Sequence, residues 1–107
     1  MEYRVELSPR AFADLDEIVT YISADSPGNA ARWRDRLFVK LETLAHTPRS
    51  RPLAEEDDHA RIEVRQTLFG RYRVLYTVRD QQALVYVLTV RHGARLFMTG
   101  EDVDSIE

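Results

Sequence analysis

The run Ala83-Leu84-Val85-Tyr86-Val87-Leu88-Thr89-Val90 constrains the fold more than any other stretch of the chain. Successive side chains of a strand point to opposite faces, and here both faces are apolar, which predicts a central position in a sheet. A bilayer span needs about 18–20 apolar residues, and no run in the sequence approaches that length.

The segments around this strand alternate instead. Residues 71–78 set Tyr72, Val74, Tyr76 and Val78 on one face and Arg71, Arg73, Leu75 and Thr77 on the other. Residues 61–66 alternate Ile62 and Val64 with Arg61, Glu63 and Arg65, and residues 3–7 alternate Tyr3, Val5 and Leu7 with Arg4 and Glu6. Both read as strands, with turns expected at Leu68-Phe69-Gly70 and at residues 79–82. Between the first strand and the rest lie two Ser-Pro pairs, Ser8-Pro9 and Ser26-Pro27. A serine hydroxyl can accept from free first-turn amides, and proline at the first helical position gives up no donor in use. Ala11, Phe12, Leu15, Ile18, Val19 and Ile22 recur at helical spacing after the first pair. Ala30, Trp33, Leu37, Leu41 and Leu44 do so after the second, up to Thr47-Pro48. Residues 48–60, with two prolines and no periodicity, read as a long surface loop. The expected order is β-α-α-β-β-β, an α+β fold in which a helical hairpin covers one face of an antiparallel sheet. We expect one domain over residues 1–97 and an acidic C-terminal tail over residues 98–107.

Hydrophobic residues at 44% and charged residues at 31% are ordinary for a globular domain. With no signal-peptide pattern at the N-terminus, the sequence predicts a cytoplasmic protein that does not engage a membrane. Zero cysteines and three scattered histidines, His46, His59 and His92, supply no metal-ligand spacing, so neither a metal nor a cofactor is expected.

The net charge of −3 hides a division. Residues 61–95 carry seven arginines, Arg61, Arg65, Arg71, Arg73, Arg79, Arg91 and Arg95, against Glu63 and Asp80, a local charge of +5. The acids gather before that window at residues 55–58 and after it at Glu101, Asp102, Asp104 and Glu107, as a solvated loop and a frayed tail. If Tyr72, Val74 and Tyr76 face the helices, Arg71 and Arg73 face away, beside Arg65 and near the strand end bearing Arg91. Several guanidiniums then share one open sheet face, suited to phosphates or to an acidic peptide. The same arginines could instead pair with Glu63 and the acidic loop and keep the sheet soluble. His92 adds a side chain that titrates near neutrality. With Arg65, Arg73 and Arg91 it could supply proton transfer and charge stabilisation for RNA cleavage.

Four segments in order, LSPRAFADLDEIVTYI, SPGNAARWRDRLFVKLETLAHTP, VRQTLFGRYRVLYTV and VYVLTVRHGAR, resemble the RelE/ParE superfamily of toxins from bacterial type II toxin–antitoxin pairs, also labelled plasmid stabilisation proteins. The resemblance spans about residues 3–97. It implies a toxin neutralised by an antitoxin that wraps around it, and it leaves homodimerisation open. RelE-like members cleave mRNA on the ribosome, whereas ParE-like members poison DNA gyrase without being nucleases. Under the nuclease alternative Arg65, Arg73, Arg91 and His92 would be the catalytic set. Otherwise Arg65, Arg71, Arg73, Arg91 and Arg95 would bind antitoxin or target. The chain has one lysine, Lys40, no tyrosine after Tyr86, and an acidic ending, all departures from the nuclease branch. The His92-Gly93-Arg95 ending looks more like the ParE side, and a gyrase-directed binding toxin is the favoured expectation.

Overall fold

Both helices begin where the Ser-Pro pairs put them in the computed structural model, which describes residues 2–106. The order is β1 (Arg4–Leu7), α1 (Pro9–Asp25), α2 (Pro27–Glu42), β2 (Arg65–Phe69), β3 (Tyr72–Arg79), β4 (Leu84–His92) and α3 (Gly100–Ile106). The Ser8 hydroxyl accepts from the Ala11 amide at 3.0 Å and donates to the Leu88 carbonyl at 2.7 Å, so the cap of α1 also ties the helix to β4. Ser26 serves two helices. Its N–H donates to the Ile22 carbonyl at the end of α1, and its hydroxyl accepts from the Asn29 amide at the start of α2. A single residue therefore turns the chain between the helices.

The sheet has the order β1-β4-β3-β2, with β4 internal as its apolar faces require. It is mixed rather than antiparallel: β1 runs parallel to β4, pairing Val5 with Val85 and Leu7 with Val87. Alternation of side chains is the same in either direction and cannot report it. Direction follows from Ser8, whose amide donates to the Val87 carbonyl and starts α1 over the sheet. A second difference concerns residues 61–66. The paired strand is 65–69 instead, because the two-residue turn at Gly70-Arg71, with Gly70 at a φ of 57°, sets Phe69 opposite Tyr72 and recruits the five residues before it. Residues 61–64 leave the sheet. The Val64 amide donates to Asp57 and its carbonyl accepts from Ala54.

Two apolar clusters flank the sheet. Ala11, Leu15, Leu37, Leu41 and Leu44 from the helical region meet Val74, Tyr76, Val85, Val87 and Val90 on one face. On the opposite face Leu75 and Leu88 meet Ala54, Val64, Met98 and Val103. Leu88 reaches that side through a β-bulge: the register passes from Leu75 opposite Thr89 to Tyr76 opposite Val87, leaving Leu88 as the extra residue. Burying a side chain of this size contributes about 1.5–3 kcal/mol, enough to hold a cover on the second face. The face expected to be open is thus closed by residues 54–64 and 96–106. Residues 100–106, read as part of a frayed tail, form α3, with Val103 1% exposed.

Candidate functional site

Arg73 and Arg91 lie opposite each other on neighbouring strands and share the second face. Like charges so placed repel, and the chain answers with a carboxylate from the acidic loop. Glu56, in a short 3-10 turn at Glu55–Asp58, is 1% exposed. It accepts two hydrogen bonds from Arg73, at 2.7 and 3.0 Å, and a third at 3.1 Å from the Met98 amide. Burial works against the charge on Glu56, but these three donors outweigh it and hold its carboxyl below the usual carboxylate range. Arg73, 6% exposed, also donates to Gln66, and the Phe97 ring lies 4.9 Å from its guanidinium carbon.

Arg91, 7% exposed, is served less well. One of its amino groups donates to the Leu96 carbonyl at 2.8 Å, and its buried Nε has no hydrogen-bond partner among the described residues. Burial first, then Arg95, Arg10 and Arg73, push its pKa below the ordinary arginine value, against the raising effect of Glu56.

The other predicted residues lie elsewhere. Arg65 pairs in register with Tyr76 and therefore sits on the helix face rather than beside Arg73. It donates to Glu63 at 2.8 Å and to the Arg51 carbonyl at 2.6 Å, fastening the loop before β2 to the sheet edge. His92 pairs with Tyr72, whose ring it meets edge to face at 5.6 Å on the helix side. With Asp14, Glu17, Ile18, Tyr21 and Arg95 it lines a cavity of about 270 Å³. The sheet separates it from Arg73 and Arg91. The Ala94 amide donates to His92 Nδ1 at 3.0 Å, which leaves the neutral ring carrying its hydrogen on Nε2 and occupies the lone pair a base would use. The expected constellation is therefore split: Arg73 and Arg91 are together under a cover, while Arg65 and His92 are on the opposite face.

Arg71 and Arg95 are exposed, and among the described residues neither side chain has a partner. They are adjacent in the fold, since the Arg71 carbonyl accepts from the Gly93 amide at 2.7 Å. Sequence reasoning missed Glu56 and Asp14 as individuals. Asp14 is buried on α1, where its carboxylate accepts from Arg10, from the Val90 amide and from the Thr89 hydroxyl, so it is spent on structure. The signal for Glu56 was an acidic block directly before a basic window, which indicates pairing without saying which acid turns inward. No group of three or more acidic or histidine side chains that could hold a metal occurs among the described residues, nor is any helix there long and apolar enough to cross a membrane.

A helical hairpin on a four-stranded mixed sheet is a fold this chain shares with solved RelE toxins. The isolated E. coli RelE toxin superposes with a TM-score of 0.59 at 21% identity, covering 98% of this chain and 99% of that one. The M. tuberculosis RelBE2 toxin–antitoxin complex gives 0.57 at 22% identity, covering 86% and 99%. The Pyrococcus horikoshii RelE–RelB complex gives 0.50 at 18%, covering 90% and 100%. These likenesses establish the fold. No curated protein sequence is significantly similar to the chain. The family model described as "ParE toxin of type II toxin-antitoxin system, parDE" matches residues 5–97, and the chain belongs to that family.

Proposed function

We propose that this chain is a toxin that acts by binding, with DNA gyrase as its target, and that a cognate antitoxin neutralises it. The observation that carries the binding reading is the division of the candidate catalytic set by the sheet: His92 on one face, Arg73 and Arg91 on the other, with Arg73 committed to Glu56. Acid–base cleavage of RNA needs a base and charge-stabilising groups around one phosphate, within hydrogen-bond reach. Membership of the ParE family supports gyrase as the target, which would place the protein in the cytoplasm. The M. tuberculosis and P. horikoshii relatives are complexes with an antitoxin, which supports such a partner here. In this reading residues 1–97 are the toxin unit, residues 98–107 are its C-terminal tail, of which 98–106 help close the second sheet face, and Arg71 and Arg95 are, of the arginines singled out in the sequence, those free to meet a target or antitoxin.

The second reading is a ribosome-dependent mRNA endoribonuclease. The juxtaposition of Arg73 with Arg91, whose Nε has no partner, is what favours it.

A supercoiling assay separates the two. Purified protein added to gyrase, ATP and relaxed plasmid should inhibit supercoiling, and His92→Ala should inhibit within about threefold of wild type, because removal of a working acid–base group costs about 100-fold or more. Cleavage of mRNA in translating extracts, abolished by His92→Ala, with unaffected gyrase, would reverse the assignment.

A further inference from the structure

Three of the arginines without side-chain partners lie together at one end of the molecule. Arg36, Arg71 and Arg95 have none among the described residues, and Arg32 reaches only the neutral Asn29 amide. Elsewhere most arginines are spent, among them Arg4 on Glu6, Arg10 on Asp14, Arg49 on Asp80, Arg65 on Glu63 and Arg73 on Glu56, and exposed Arg61 beside α3 is the exception. At the end with free cations, Trp33 of α2 meets Phe69 at 5.7 Å and Tyr72 at 5.4 Å, both edge to face. Ile22, Trp33, Phe69 and Gly70, with Arg32 and Arg36 one helical turn apart, line a groove of about 390 Å³.

We infer that this groove is a peptide-docking site that takes an apolar side chain flanked by carboxylates, supplied by the antitoxin. The inference rests on the toxin–antitoxin reading and extends it to residues on α2 that the family pattern did not single out. Three features select a peptide. The volume suits one or two side chains, with guanidiniums at the rim placed to fork onto carboxylates. The aromatic rings are turned edge to face on one another rather than set out side by side as platforms for successive bases. The adjoining cavity sets exposed Glu17 beside Arg95, so a peptide can place its acids over Arg36 and Arg71 while keeping clear of Glu17, which a continuous phosphate backbone cannot do as readily.

Trp33 is the only tryptophan in the chain, so its emission reports on the groove directly. The probe is the antitoxin itself, recovered as the co-expressed protein that relieves growth arrest by this chain, then purified and titrated. Binding should shift Trp33 emission to the blue. The exposed-site variant Arg36→Glu/Arg71→Glu, with circular dichroism matching wild type, should raise Kd at least tenfold, while Arg61→Glu beside α3 should leave it within twofold. Unmoved emission on saturation, or a double variant binding within threefold of wild type, would overturn the site while leaving the toxin–antitoxin reading intact. If the oligonucleotide dT12 competes with the antitoxin and shifts the emission as far, the groove binds nucleic acid and the peptide proposal fails. Absence of any growth arrest would refute the toxin reading, and this proposal with it.

Discussion

Replacing Glu56 with leucine should destabilise the protein by about 3–5 kcal/mol, the scale of removing one partner from a buried ion pair. The structure explains why the loss belongs at that scale. Glu56 and Arg73 are 1% and 6% exposed, and Arg91, directly opposite Arg73, is 7% exposed with a single carbonyl acceptor. Without Glu56, two guanidiniums face each other under a cover in which no other carboxylate among the described residues bonds to them, and the Met98 amide also loses its acceptor. For a domain near this size about 1 kcal/mol moves Tm by roughly 4 °C or more, so a drop of at least about 12 °C is expected. Arg73→Met combined with Glu56→Leu should recover most of the loss, because a buried pair replaced by apolar groups of similar volume is often neutral or better. Urea unfolding followed by Trp33 fluorescence, with unchanged m-values, gives the four corners of the cycle. A Glu56→Leu cost under about 1 kcal/mol, or a coupling energy indistinguishable from zero, would show that the pair is solvated and that residues 96–106 do not seal the second face.

Three further outcomes follow from the same geometry. The Glu56 carboxyl is held below its unfolded value, so its contribution is complete above about pH 4.3 and is lost as pH falls through the folded pKa; Glu56→Gln should flatten the pH–stability curve in that acid window, measured by urea midpoints. A Cβ at Gly100 would lie 1.8 Å from the His59 carbonyl oxygen, so Gly100→Ala should dislodge α3 and raise amide exchange across residues 100–106 while leaving α1 and α2 protected. Ser8→Ala removes both a helix cap and the hydroxyl that satisfies the Leu88 carbonyl, and should cost about 1–2 kcal/mol in chemical denaturation.

Local signals in the sequence identified the helices and the internal strand well. Ser-Pro pairs act within a few residues, and an eight-residue run apolar on both faces has few places to go, so α1, α2 and β4 fall where those signals put them. The direction of β1 was not legible, since alternation is blind to parallel pairing. Residues 61–64 alternate like a strand because buried Val64 and half-buried Ile62 pack beneath the sheet rather than pair in it, and nothing in a binary pattern separates the two. Charge behaved similarly. The basic window and its flanking acids were visible as blocks, but the identity of Glu56 as the inward carboxylate depends on a 3-10 turn closing at Asp58. The facing of Arg65 depends on a register set at Gly70 and the β2 pairing that follows from it. Arg71 and Arg95 stayed exposed because they sit in the turn and beyond the strand end, where no cover reaches.

The most direct test of the central claim is induction of the chain in bacteria, with radiolabelled thymidine and methionine incorporation followed over the first minutes in wild type and His92→Ala. A binding toxin directed at gyrase predicts that thymidine incorporation collapses first, with DNA-damage induction, in both strains. Earlier collapse of methionine incorporation, abolished by His92→Ala, would contradict the account.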